Sequence, residues 1–443
     1  MNFETLSNDR LFFRCAIPSI ISMTVSSVYT IVDGVFVGRL LGQDALAAVN
    51  LVMPCIMIFF ALSDMVAAGS SVRISMLLGQ GKPKEASVTF SACFKFLIVY
   101  ACIAGAAGFF AVRPILRGMG ASAVVTELAA QYLQVFAVFA PPTALFFAMD
   151  NYLRVCGKQH YSMALNIITA VANILLDALF LSYLHWGIWA AALASVLSMT
   201  AGTVLSFLPF FRSDSVLSFT HGRISPKQFG RLLVNGSSEL FTNIASSLLM
   251  LMLNVVLLRL GGSVAVAAMS VIMYVNSIID SVLFGLAEAL QPPISYFYGQ
   301  GASKRLWALE KRVLIAAGLI SLAALLVMRF ADSGLVVLFI APDNTALLTM
   351  SLNAMKIFAL SYLVTWVNGC LGSFLTALDF PLSSLLATLC GSLLFPAAAL
   401  LLLSSLFGLN GVWYMPLAAG IGSALVSILL TRHAFHKRPL PSG

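Results

Sequence analysis

Residues 38–54, GRLLGQDALAAVNLVMP, return as LRLGGSVAVAAMSVIMY at residues 258–274, an offset of 220 positions. Between Gly38 and Gly81 the two copies share 14 identities in 44 gapless positions, among them Ile74-Ser75 with Ile294-Ser295 and Gly79-Gln80-Gly81 with Gly299-Gln300-Gly301. The offset then drifts to 222 and 224, where Gly187-Ile188-Trp189 meets Gly411-Val412-Trp413. Each half of the chain is therefore one copy of a single ancestral unit. Both copies are apolar nearly throughout: 60% of the 443 residues are hydrophobic and 9% charged, with mean hydropathy +0.97. Soluble domains carry roughly 25% charged residues. A chain so poor in polar groups cannot coat a water-facing surface, whereas lipid-facing helices need none.

Apolar stretches long enough to cross about 30 Å of hydrocarbon at about 1.5 Å per residue predict twelve transmembrane helices, six per half. The first six run 11–37, 47–78, 88–112, 125–155, 161–184 and 187–211; the second six run 232–258, 264–298, 313–330, 347–378, 382–407 and 411–431. Lys and Arg divide between alternate loops, eighteen on the side of both termini and five on the other (Arg39, Arg113, Arg117, Arg259 and Arg329), with Lys95 and Lys356 inside helices. Cytoplasmic loops are the basic ones, so both termini are expected in the cytoplasm of a cell-membrane protein. The net charge of +8 is thus topological, and no basic stripe with interleaved aromatics suggests nucleic acid. Seven Cys without a CxxC pair argue against disulfides or a metal site, and no cleaved signal peptide is expected.

A repeat spanning an even number of helices places its copies in the same orientation, related by an axis along the membrane normal. The expected fold is all-α integral membrane: two six-helix bundles, 1–211 and 232–443, around a central cleft. The polar stretch 212–231 tethers them on the cytoplasmic side.

A carboxylate at membrane depth is expensive unless paired or protonated, so each marks a site. Asp33 and Asp177 fall in the outer halves of helices 1 and 5. Asn173 lies one turn before Asp177 on the same face, and Ser195 enters helix 6 from the same side. The repeat is a control, because a group needed only to pack the bundle should recur. Asp33 meets Leu253, and Asn173 and Asp177 meet the apolar stretch 395–401. The four are expected to share a pocket that takes a proton or Na⁺, both suited to oxygen ligands, with no other metal or cofactor; the alternative is a buried cluster that merely locks helices 1 and 5. Asp64, Glu239, Asp280 and Glu288 are candidates for a substrate cleft that attracts organic cations, Glu239 and Glu288 equally for internal pairing. Asp150 precedes Arg154 by four residues and is expected to pair with it structurally. Pro18, Pro54, Pro141, Pro142, Pro292, Pro293, Pro396 and Pro416 fall inside the expected helices as possible kinks, and Pro18 stands fifteen residues before Asp33. Abundant Phe (32) and Met (18) suit a promiscuous apolar cavity and lipid contact alike.

Three stretches, VSSVYTIVDGVFVG with Pro18 before it, NILLD (173–177) and AALASVLS around Ser195, resemble the proton-coupled branch of the multidrug and toxic compound extrusion (MATE) family, and the likeness extends over nearly the whole chain. The resemblance implies an antiporter exporting organic, often cationic and amphipathic compounds by alternating access against H⁺ or Na⁺, acting as a monomer. It assigns Asp33, Asn173, Asp177 and Ser195 to the cation site and Pro18 to a hinge. Two positions depart from the usual pattern: Ala178 stands where a Pro often follows the helix 5 acid, and Ser195 keeps the hydroxyl of a more usual Thr. The helix 10 acid of the sodium-coupled branch is missing. A lipid-precursor flippase of the same superfamily is the alternative; it calls for several buried Arg, and none is expected here. A membrane transferase would need clustered loop acids, and the linker offers only Asp214.

Overall fold

The computed structural model describes residues 3–118, 122–211, 215–330 and 345–437. They form helices joined by short turns. In the first half these are α1 (Asn8–Phe36), α2 (Gln43–Gly79), α3 (Pro83–Gly118), α4 in two legs (Ala123–Val138 and Ala140–Val155) bent by 62°, α5 (Gln159–Asp177) and α6 (Ile188–Phe207). The bend in α4 falls at Phe139, just before Pro141 and Pro142, which lack the N–H a straight helix would need. In the second half one helical run, Pro226–Ala289, breaks at Gly262 (φ 63°) into α7 (226–261) and α8 (263–289), the latter continued by Gln291–Gln300. A run of 75 residues is several times longer than one crossing, so it supplies two. Then follow α9 (Ser303–Phe330), α10 (Thr345–Phe358 and Thr365–Ala377), α11 (Pro381–Leu389 and Phe395–Phe407) and α12 (Leu409–Lys437). The helices extend past the apolar stretches at many ends: α1 starts at Asn8 and α12 runs on to Lys437. Hydropathy reports the hydrocarbon core, whereas backbone hydrogen bonding continues through the interface.

The duplication is visible in the backbone. Left-handed turns recur at Gly42 and Gly262, at Gly81 and Gly301, at Gly157 and Asp379, and at His185 and Gly408. The first two pairs hold Gly in both copies because those turns require positive φ.

The described contacts divide into two units. The first comprises residues 1–7 and 17–240, the second 8–16 and 241–443. The first turns of α7 belong to the first unit because its backbone meets that of α2 at two glycines. A Cβ on Gly236 would sit 1.8 Å from the Met65 carbonyl oxygen, and one on Gly69 would sit 2.0 Å from that of Leu232. Small residues allow this approach in the absence of a hydrophobic force between membrane helices. The amino end of α1 belongs to the second unit, where Arg312 Nε donates to Asp9 Oδ1 at 2.7 Å and Arg305 Nε to Asn8 Oδ1 at 3.2 Å. The described part of the inter-half stretch is docked on α3: the Ser218 and Thr220 amides donate to Ser87 Oγ (3.3 Å) and Ser91 Oγ (2.9 Å), and Phe219 packs on Phe90 and Phe94. All seven Cys are free.

Candidate functional site

Asp33 lies on α1 one turn before a wide π-type turn at Val37–Leu41, and Asp177 ends α5 where a second such turn, Ala178–Tyr183, begins. Such turns break the regular ladder and often accompany functional sites. Asp177 is fully buried and Asp33 nearly so, and their carboxyls come within hydrogen-bond reach of each other. One turn before Asp177, the buried Asn173 donates through Nδ2 to Ser195 Oγ of α6 at 3.2 Å. The structure therefore brings together all four side chains expected to share a pocket, as an acid pair beside an amide–hydroxyl pair.

The hydrogen-bond inventory of this cluster is one-sided. Asp33 Oδ1, both Asp177 oxygens and Asn173 Oδ1 are buried, and no donor among the described residues reaches any of them. Two facing carboxylates offer acceptors only, and an unsatisfied buried acceptor is destabilising by about 1–3 kcal/mol, more when charged. A proton on one acid supplies the missing donor, and a small hard cation would be held by the same oxygens.

Two neighbours escaped the sequence reading. Tyr132 of α4 is buried within electrostatic reach of Asp33, Asp177 and Tyr29, and Tyr29 lies on α1 one turn before Asp33. The repeat carried the signal, since Tyr29 meets Leu249 at the offset of 220 and Tyr132 meets Ala354 at the offset of 222. A third overlooked group is Glu310 on α9, 2% exposed and close to Cys370, with no donor to Oε1.

The four candidate cleft acids fall into different surroundings. Asp64 and Glu239 approach one another in the first unit, with Asp150 near Asp64. Glu288 accepts from Gln291 Nε2 at 2.6 Å, so part of its charge is spent on a helix junction. Asp280 opens onto a cavity in the second unit. Asp150 accepts from Arg154 at 2.6 Å, from Asn166 at 2.8 Å and from Ser162. Arg154 is buried, which corrects the expectation of no buried Arg: the carboxyl end of α4 is enclosed by its neighbours, and the guanidinium is held by Asp150 and Ser19. Pro18 sits inside α1 without interrupting it, two residues beyond the point where α1 passes from the second unit to the first.

A duplicated all-helical chain, with helices long and apolar enough to cross a membrane and buried polar clusters among them, defines a polytopic membrane transporter fold. The MatE family model matches residues 18–179 and again 240–401, so this chain belongs to the MatE family. The second match begins 222 residues after the first, in step with the internal repeat. The multidrug export protein MepA of Staphylococcus aureus (strain N315) is 24% identical over 435 residues, covering 97% of this chain and 94% of its own. MepA of Staphylococcus saprophyticus is 23% identical over 433 residues with the same coverage. Among solved structures, MATE in complex with MaL6 superposes with a TM-score of 0.92 at 22% identity over 98% of this chain and 97% of that one. An outward-facing MATE family transporter of the MOP superfamily superposes at 0.89 and 23% identity with equal coverage.

Proposed function

We propose that this chain is a secondary active exporter of small organic compounds, amphipathic cations among them, driven by H⁺ or Na⁺ entering through the Asp33–Asp177 pair. The observation that carries the reading is the set of facing, donorless carboxyl oxygens in the first repeat, with apolar residues at the equivalent places in the second. The names of the staphylococcal relatives agree with it. Loading a proton neutralises a buried charge and turns one acceptor into a donor, which draws α1 and α5 together; unloading separates two like charges. Export follows if drug and ion prefer different conformations, because a ligand shifts an equilibrium only through differential affinity. Pro18 denies the Arg14 carbonyl its helical partner, so α1 can bend where it changes unit. Asn173 and Ser195 position the pair. The two lobes, joined through 212–231, then alternate around the drug, with both termini cytoplasmic and one chain sufficient.

The flippase alternative calls for a cationic pocket, and among the described residues the one buried Arg, Arg154, is held by Asp150. The test is dye efflux from proteoliposomes under separately imposed proton and sodium gradients. One of the two gradients should drive efflux, and equal rates with both collapsed would overturn the reading.

A further inference from the structure

The second unit holds a cavity of about 370 Å³ within its own helices, at the small end of the size range of sites for drug-sized ligands. The repeat shows where it lies. Leu253, the counterpart of Asp33, lines it, and so does Pro396, from the stretch that corresponds to Asn173 and Asp177. The cavity thus occupies in the second copy the place that the acid pair occupies in the first. Its own carboxylate comes from elsewhere. Asp280 corresponds to Phe60, whose ring is packed against Phe147 (centroids 5.0 Å) and Phe136 (6.4 Å) in the first unit. One copy fills with aromatic rings the region where the other has a charged group beside open space, so bundle packing does not require the cavity.

The carboxylate is held in place. Asn276 Nδ2 donates to Asp280 Oδ2 at 2.6 Å, and the Tyr362 hydroxyl donates to Asn276 Oδ1 at 2.5 Å, fixing which way the amide points. Among the described residues no Lys or Arg forms an ion pair with Asp280. Four thioethers, Met250, Met269, Met273 and Met415, line it beside the Phe358 ring, and Ser246, Thr365, Asn368 and Ser423 add neutral polar groups. Such walls adapt to aromatic and alkyl shapes. A single fixed negative charge in a chamber of thioethers, rings and neutral polar groups suits one chemistry.

We propose that this cavity is a binding site for a small, singly charged amphipathic organic cation, with Asp280 as its counter-ion. The proposal rests on the export reading for the fate of the ligand, but binding to the resting protein needs no ion gradient. The division of labour follows the duplication: one copy binds the driving ion, and the equivalent place in the other binds organic cargo.

The test measures binding of tetraphenylphosphonium, and of triphenylphosphine oxide as a neutral probe of similar shape, to the purified full-length protein by calorimetry. Asp280→Asn should weaken the cation about 10- to 100-fold, the usual worth of a charge-assisted contact, and change the neutral probe by less than about threefold. Leu249→Trp, which pushes an indole into the cavity and leaves every charge in place, should weaken both probes by about tenfold or more; it reads the same site if Asp280→Asn is not recovered. Cation binding to either variant within about threefold of the unsubstituted protein overturns the proposal. Because no gradient is present, that result would leave the Asp33–Asp177 coupling reading standing, and failure of the coupling would show only in efflux.

Discussion

Replacing Asp177 with Asn separates the two demands that the acid pair makes, stability and coupling. Asp177 is fully buried, and neither of its oxygens nor Asp33 Oδ1 has a donor among the described residues. The substituted amide has nearly the same shape and carries two N–H donors, one aimed at Asp33. A hydrogen bond to a charged acceptor contributes about 1.5–3 kcal/mol, and removing one of two facing charges acts in the same direction. Asp177→Asn should therefore be at least as stable as the unsubstituted protein. Its transport should collapse, because the pair can no longer exchange its ion. If a monovalent cationic dye leaves in exchange for one proton, a gradient of one pH unit stores about 1.4 kcal/mol and sustains at most about a tenfold dye ratio. With the exchange broken that tenfold contribution is lost and the dye returns to its passive distribution. The assay pairs thermal melting of detergent-purified protein with ethidium accumulation in cells at matched membrane levels. A variant that holds the full dye gradient, or that melts as if destabilised by more than about 1 kcal/mol, would refute the reasoning.

Four further outcomes follow from the packing and the topology. Gly236→Ala places a Cβ 1.8 Å from the Met65 carbonyl and should destabilise by about 2–3 kcal/mol or prevent recovery from the membrane, whereas Gly108→Ala, with open space at its Cβ, should be neutral or slightly stabilising; melting temperatures decide. Asp150→Ala strands the buried Arg154 and should cost about 3–5 kcal/mol, of which Asp150→Leu combined with Arg154→Met should restore most, as read by a double-mutant cycle. Ser225→Cys in a cysteine-free background should react with a membrane-impermeant maleimide only from the cytoplasmic side. Pro18→Ala returns the missing N–H to α1 and should slow dye efflux without lowering expression, measured as initial efflux rate against protein level.

A duplicated helical membrane protein was legible in the chain alone, because hydropathy over the width of a bilayer and identity at a fixed offset need no contacts between distant residues. It also pointed to Asp33, Asn173 and Asp177, since the repeat exposes polar groups that one copy has and the other lacks, and to Ser195 through its depth in helix 6 and the family resemblance. Tyr29 and Tyr132 were open to the same comparison, but a Tyr at membrane depth is cheap enough to pass unnoticed, as a carboxylate is not. The rest depends on contacts between residues far apart along the chain. That Arg154 is buried depends on which helices enclose the carboxyl end of α4, and that the first turns of α7 join the first unit depends on two glycines 167 residues apart meeting across a backbone contact. Asp64, Glu239, Asp280 and Glu288 look alike in the sequence, as acids in helices. They differ because burial and partners are set by neighbours distant along the chain: Glu288 is tied to Gln291, while Asp280 faces open space among methionines.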